Sequence, residues 1–257
     1  MAEHPLIKEW RTFSPDRPPH LFPQDRSNLP EEDIILLNSF EDYINNPVFG
    51  DRSDTLLHTG LLPMPFAGSL SSASIFILMI NPGLGHLDYY EQQISYLCEQ
   101  VVRTIHQHNA NDTYPFIWLN PSLAWTGGFR YWESKFHNLA NTLMAQRSLS
   151  YRAALQRLAQ HIAVLELIPY HSKKFGAHRL ISTLPSAQLM QDYVHDVLIS
   201  RAHRGEALII VTRLVKYWSL EEHENIILYQ GGETHRAHLT VNSRGGKAIA
   251  QHLGLEV

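Results

Sequence analysis

The sequence contains one cysteine, Cys98, and no long apolar stretch. A single cysteine excludes a disulfide within the chain and an iron–sulfur cluster held by four thiolates of one chain. No apolar run approaches the roughly 20 residues that a membrane-spanning helix needs. The N-terminal stretch also lacks the basic and then apolar order of a secretory signal. These absences predict a cytoplasmic protein that contains no iron–sulfur cluster and does not enter a membrane.

The signatures of several enzyme classes are missing as well. The sequence has no G-x-S-x-G, H-E-x-x-H or complete Walker A motif, which argues against a serine hydrolase, a zinc protease and a P-loop nucleotidase. The segment GLGHLD begins like a dinucleotide fingerprint, but Asp88 stands where the third glycine belongs. The 16 histidines show no recognisable ligand spacing. We therefore expect no metal and no cofactor.

The formal net charge of −4 is unevenly distributed along the chain. Residues 1–54 carry 11 acidic residues and 5 Lys/Arg, whereas residues 55–257 carry 14 acidic residues and 16 Lys/Arg. Two segments, 169–179 and 234–247, contain basic residues and no acidic ones. Such segments suit contacts with nucleic-acid phosphates, although ordinary solvated loops show the same pattern.

Four short apolar runs predict buried strands at residues 75–80, 162–168, 207–212 and 225–229, with 238–241 as a fifth candidate. Helical patterns lie between these runs, and such an order is typical of an α/β fold. The predicted helices are 88–108, 131–146, 150–160, 185–203 and 214–222, with a short final helix at 245–254. Because the runs lack strict alternation, we predict a three-layer α/β/α arrangement around a central, mostly parallel sheet of four to five strands. Residues 1–30 are expected to be irregular and 30–47 to form a helix.

The segment IFILMINPGL, residues 75–84, places Asn-Pro-Gly directly after the first predicted strand. It resembles the first motif of the uracil-DNA glycosylase superfamily, specifically its mismatch-specific branch. Later segments resemble further parts of that family in the same order: GGFRYWESKFHNLAN, LELIPYHS, ALIIVTRLVKYW and LTVNSRGGKAIAQHLG. The resemblance covers roughly residues 60–256. We therefore predict an N-terminal extension at 1–60, packed on a uracil-DNA glycosylase-like domain at 61–257 with an insertion at about 90–125.

The resemblance implies a monofunctional DNA glycosylase that hydrolyses the N-glycosidic bond of an aberrant or modified pyrimidine and leaves an abasic site. The target would be uracil or a mismatched base, or a bulky hypermodified cytosine such as glucosylated hydroxymethylcytosine in phage DNA, which would make this a defence enzyme. Hydrolysis needs a positioned water, and an asparagine amide orients water without taking up its proton. Asn81 and Asp88 are the predicted catalytic residues, the latter as a base or as support for the sugar cation. Because no lysine occupies the motif positions themselves, water is the expected nucleophile.

The predicted partner is double-stranded DNA with an extruded base. The sequence does not define the oligomeric state of the protein. The residues expected to form the base pocket are Pro82, Gly83, Leu84, Tyr89, Tyr90 and Phe129. The residues expected to contact DNA are His171, Ser172, Lys173, Lys174, Arg179, Asn242, Ser243, Arg244 and Gly245. Arg244 is the candidate wedge that fills the gap left by an extruded base.

Each of these roles has a structural alternative. Asn81 could cap its own turn, Asp88 could cap a helix, and the aromatic residues could simply pack in the core. Arg244 could contact a phosphate or solvent. Two other functions also stay open: a DNA-binding relative without catalytic activity, and a nucleotide-handling enzyme that uses the same crevice.

Overall fold

The computed structural model describes residues 3–236 and 238–256. The helices, α1 to α10, are Pro5–Trp10, Phe40–Ile44, Asp88–Glu91, Ser95–Ile105, Gly127–Arg147, Tyr151–His161, Pro185–Tyr193, Ile199–His203, Glu233–Arg236 and Arg244–His252. The strands, β1 to β7, are Ile34–Ile35, Leu57–His58, Phe66–Ala67, Ile75–Met79, Ile162–Glu166, Leu208–Val211 and Ile226–Leu228. Within this described part, no helix has the length and apolar character needed to cross a membrane.

Five strands form one sheet in the order β3-β5-β4-β6-β7. β4 pairs in parallel with β6, and β6 pairs in parallel with β7. β3 runs antiparallel to β5, because Glu166 N donates to Pro65 O (2.8 Å) at one end while Gly68 approaches Ile162 O at the other. Gly68 has φ +97°, and a Cβ there would lie 2.4 Å from that oxygen, so only glycine fits. The predicted α/β class is confirmed, with a sheet that is mixed because of its edge strand β3.

The longest helix, α5, shows why the helical patterns could be read from the sequence. Thr126 caps its first turn by accepting a hydrogen bond from Phe129 N (3.1 Å). Its buried side chains recur every three or four residues: Trp132, Phe136, Leu139, Ala140 and Leu143. Ser150 and Ser243 cap α6 and α10 in the same way. The helices predicted in these three places are confirmed.

Several predicted elements are wrong. Residues 5–10, expected to be irregular, form α1, since Leu6 and Trp10 bury one side of it. Residues 30–47, expected as one helix, are divided, because Ile34 and Ile35 pair with β2 before α2 begins. Residues 214–222 form only a short 3-10 turn, Val215–Tyr217. The candidate strand at 238–241 is not a strand.

The chain divides into two compact units. The first comprises Met1–Phe66, Ile80–His108 and Glu166–Val194. The second comprises Ala67–Met79, Asn109–Leu165 and His195–Val257. The N-terminal segment therefore belongs to the same unit as Asn81 and residues 169–179. Phe129 and residues 242–245 belong to the second unit.

Candidate functional site

Asn81 follows β4, and its amide nitrogen is held by three acceptors. Nδ2 donates to the carbonyl oxygens of Pro82 (2.9 Å) and Tyr170 (3.2 Å) and to Ser172 Oγ (2.8 Å). Because a carbonyl oxygen only accepts hydrogen bonds, the nitrogen side of the amide must face this group. Among the described residues Oδ1 has no hydrogen-bond partner. The half-buried amide thus presents an acceptor oxygen in a fixed direction.

Tyr170, one of these acceptors, is anchored in the protein interior by the N-terminal segment. Its hydroxyl donates to Asp25 Oδ2 (2.6 Å), and Ser186 Oγ donates to the same oxygen (2.5 Å). Burial raises the pKa of Asp25, although the hydrogen bonds from Ser186 and Tyr170 act in the opposite direction. Burial and the neighbouring Asp25 also raise the pKa of Tyr170 well above its ordinary value, so the phenol keeps its proton. Asp25, which lies before the region of family resemblance, therefore helps to orient Asn81 through Tyr170.

The backbone that carries His171 and Ser172 is fixed from two sides. His58 N donates to His171 O (2.8 Å), and Ser172 N donates to Pro82 O (3.2 Å). His58 pairs with His171, and Gly83 with Ser172, as isolated bridges. This backbone therefore lies between β2 and the Asn-Pro-Gly turn, which brings His171 and Ser172 to the same site as Asn81.

Asp88 and His171 meet at the Asn-Pro-Gly turn. Asp88 Oδ2 accepts a hydrogen bond from Gly85 N (2.7 Å) and lies 3.8 Å from His171 Nδ1. The same Nδ1 is 2.8 Å from Gly83 O, to which it donates. The helix-capping alternative for Asp88 is not observed, since Leu87 is the N-cap residue of α3. Asp88 instead closes the loop and lies beside an imidazole.

A buried network that the sequence analysis missed lies in the same unit. His58 Nε2 is 2.9 Å from Asp54 Oδ2, and His58 Nδ1 is 3.0 Å from Tyr89 Oη. Burial lowers the pKa of His58, while the hydrogen bond to Asp54 acts in the opposite direction. Burial, together with Tyr43 and nearby carboxylates, raises the pKa of Tyr89. The pair Asp54 and His58, four residues apart, was the available sequence signal, but it lies before the region of family resemblance.

The predicted aromatic pocket residues have different surroundings. Tyr89 is 2% exposed and stacks on Tyr43 with ring centroids 4.9 Å apart. The ring of Tyr89 therefore packs in the protein core. This corrects the prediction that Tyr89 offers a stacking surface to an extruded base. Tyr90 is 49% exposed and meets Phe40 edge-on. Phe129 is half-buried in the first turn of α5.

Buried and solvent-exposed residues alternate along the Asn-Pro-Gly turn. Pro82 and Leu84 are buried, whereas Gly83 is exposed and a Cβ at Gly83 would meet no atom within 4 Å. Lys173 Nζ donates to Leu84 O (3.3 Å). An amine therefore lies at the turn, although no lysine stands in the motif itself. Gly83 therefore lies at the open surface, next in the turn to the buried Pro82.

Two of the basic residues predicted to contact DNA in this unit differ in their surroundings. The side chain of Lys174 is exposed. Arg179 binds Asp33 (2.7 Å) and Glu32 (3.1 Å) through Nη2. The charge of Arg179 is therefore compensated by the acidic N-terminal segment, and Arg179 is not free for a phosphate in this conformation.

Arg244, in the second unit, is also compensated by carboxylates. Its Nη2 binds Glu222, and its Nη1 lies 3.2 Å from Glu233 Oε2. Both acidic residues precede the basic segment, so its composition did not reveal them. Insertion of Arg244 as a wedge would require these two ion pairs to break.

The loop before α10 borders a surface cavity of about 490 Å³. The cavity is lined by Tyr229, Gly232, Glu233, His238, Thr240, Asn242, Ser243 and Arg244. Gly245 is buried, and a Cβ there would lie 2.5 Å from Tyr229 Oη. Its predicted contact with DNA is therefore corrected: this glycine permits close packing within the protein. Ala237 and the side chains of His235 and Arg236 lie outside the described residues.

In the described ranges, no three His, Cys, Asp or Glu side chains are grouped as a metal ion would require. Comparison of the chain with known proteins finds no matching family model, no similar curated protein and no similar solved structure. The chemistry of the site is therefore inferred from its own residues.

Proposed function

We propose that this chain is a monofunctional DNA glycosylase with a three-layer, uracil-DNA glycosylase-like fold. The observation that carries the proposal is the amide of Asn81. Three acceptors hold its nitrogen, and its oxygen has no partner in the described part of the chain. Such an oxygen can accept a hydrogen bond from one water and hold that water in one direction.

A fixed water acceptor suits hydrolysis of an N-glycosidic bond. The attacking water must approach the sugar carbon from the face opposite the departing base, and correct placement supplies several kcal/mol of the barrier reduction. The amide itself takes up no proton, so it acts by orientation. The carboxylate of Asp88 carries negative charge in the same unit, which favours positive charge developing on the sugar.

The proposed substrate is an aberrant or modified pyrimidine in double-stranded DNA. Uracil and mismatched bases are what the resemblance of the Asn-Pro-Gly motif to the uracil-DNA glycosylase superfamily implies. A bulkier base, such as glucosylated hydroxymethylcytosine in phage DNA, is favoured by the exposed Gly83, which leaves space at the turn. In that case the enzyme would act in defence against phage.

The test is release of a base from defined duplexes. DNAs that contain uracil, a thymine mismatch or a modified cytosine are incubated with the protein and then cleaved with alkali at abasic sites. We expect breaks with the wild type and a loss of at least about 100-fold in rate for Asn81→Ala. Asn138→Ala is the matched control, because Asn138 is an exposed residue of α5.

The position of Lys173 makes a second measurement necessary. An amine could form a Schiff base with the opened sugar, which borohydride would trap as a covalent complex. A monofunctional enzyme gives no trapped complex. Trapping that disappears in Lys173→Arg would refute the monofunctional mechanism, and unchanged activity of Asn81→Ala would refute the glycosylase site itself.

A nucleotide-handling hydrolase is a second candidate, favoured by the compensated charges of Arg179 and Arg244. Because carboxylates occupy two arginines that were predicted to contact DNA, the attraction of this protein to a DNA backbone is reduced. An enzyme that acts on free nucleosides would show little dependence of activity on salt, whereas phosphate contacts impose a steep one. Rates on duplex DNA and on the free nucleoside, each at two salt concentrations, separate the two functions.

A further inference from the structure

His171 lies in the site with its orientation fixed. Its Nδ1 is 2.8 Å from Gly83 O, and this oxygen only accepts hydrogen bonds, so Nδ1 must carry a proton. In a neutral imidazole the other nitrogen, Nε2, then has a free lone pair. Among the described residues Nε2 has no partner, and the side chain is 12% exposed. The ring therefore offers a proton acceptor that is shielded from most of the solvent but can be reached.

We propose that His171 Nε2 accepts the proton of the attacking water, and that the hydrogen bond from Nδ1 to Gly83 O holds the ring for this step. This inference rests on the glycosylase function proposed above and adds a catalytic residue to it. The role differs from the DNA contact that the sequence predicted for His171.

His171 supplies what Asn81 lacks. An attacking water has two hydrogens: one hydrogen bond goes to Asn81 Oδ1, and the second hydrogen requires a group that can take it as a proton. Ser172, the residue after His171, accepts a hydrogen bond from Asn81 Nδ2 (2.8 Å), so His171 is next in sequence to a residue that contacts the amide. The bridges to His58 and Gly83 hold this backbone in place.

Charged and titratable side chains surround this position. Asp88 Oδ2 lies 3.8 Å from His171 Nδ1. His58, from β2, also faces His171, and two charged imidazoles would repel each other. Burial lowers the pKa of His58, which disfavours a second charged imidazole here, while the hydrogen bond to Asp54 acts in the opposite direction. Lys173 Nζ is directed to Leu84 O.

The step is balanced without a further reactant. The water oxygen forms a bond to the sugar C1′ while the bond from C1′ to the base nitrogen breaks, and the electron pair of that bond leaves with the base. One water proton moves to His171 Nε2. The imidazolium then returns this proton to the base anion or to solvent. The products are the free base and an abasic sugar with a hydroxyl group at C1′.

The kinetic test compares wild type, His171→Asn and His203→Asn at several pH values in single turnover. The asparagine at 171 retains an N–H donor near Gly83 O but removes Nε2, while His203 is an exposed histidine of the second unit. We expect the wild-type rate to fall as the pH is lowered, because a protonated imidazole cannot accept the water proton. His171→Asn should be at least about 100-fold slower, with that acidic limb lost. His203→Asn should match the wild type.

The outcomes separate this inference from the function on which it rests. A wild type that releases no base from any duplex refutes both. An active wild type with a His171→Asn variant that keeps the rate and the acidic limb refutes the role of His171 alone. Added imidazole should partly restore His171→Gly, a result that a purely structural role would not produce. Nitrogen NMR of the ring should show the proton of the neutral form on Nδ1; a proton on Nε2 would overturn the proposal whatever the activity.

Discussion

Replacing Glu166 by glutamine should remove a pH-dependent part of the stability of this protein. Glu166 is the last residue of β5 and is buried. Its Oε2 atom has no hydrogen-bond partner in the described part of the chain. Burial raises the pKa of this carboxyl from 4.5 to about 8, because a charged carboxylate there would lose its hydration without compensation.

The direction and size of the effect follow from proton linkage. Between pH 4.5 and about 8 the folded protein keeps the Glu166 proton and the unfolded chain does not. Raising the pH in this window therefore lowers the free energy of unfolding. Each tenfold difference in proton affinity is worth about 1.4 kcal/mol. From about pH 6 to about pH 9 the wild type should lose ~2–3 kcal/mol through this group.

The assay is urea unfolding, followed by tryptophan fluorescence, at both pH values. Other groups also titrate, so the quantity of interest is the pH-dependent change in wild type minus the change in Glu166→Gln. Any change that the glutamine amide itself makes to the free energy of unfolding is the same at both pH values, so this change cancels in the difference. Glu224→Gln, at an exposed position, should behave as the wild type does. If wild type and Glu166→Gln lose equal stability between the two pH values, the reasoning about the buried carboxyl is refuted.

Two further predictions concern packing and charge. Gly246→Ala should lower stability by about 1–3 kcal/mol or more, since the new Cβ would lie 1.8 Å from a backbone oxygen. In the same thermal-unfolding experiment Gly83→Ala should change little, because its Cβ meets open space; equal losses in the two variants would contradict this. The double variant Glu222→Gln/Glu233→Gln should release Arg244, so that DNA binding by fluorescence anisotropy becomes tighter and its salt slope rises by about 1. Adding Arg244→Gln should cancel this gain, and an unchanged affinity in the double variant would exclude Arg244 from DNA binding.

The long-range contacts of the site explain why only part of it was predictable. Asn81 was predicted from a local pattern, a strand followed by Pro and Gly. Two of its three acceptors were not, because Tyr170 and Ser172 lie about ninety residues further along the chain. Asp25, which anchors Tyr170, is 145 residues away from it in sequence. No local pattern carries information on such a pair.

The charges of the basic segments show the same limit. Counting residues within 169–179 and 234–247 correctly found an excess of bases. It could not show that Arg179 meets Asp33, or that Arg244 meets Glu222, because the acidic partners come from other segments. Whether the charge of each arginine is compensated therefore depends on the folded chain and not on its own segment.

The order of residues alone determined the α/β class, four of the five strands of the sheet and the capped helices α5, α6 and α10. These elements depend on periodic burial and on hydrogen bonds between residues close in sequence, which leave a local pattern. Tertiary structure alone decided the edge strand β3, the burial of Tyr89, the compensation of the arginines and the direction of the Asn81 oxygen. Each of these depends on atoms from distant segments, and their positions exist only once the backbone has folded.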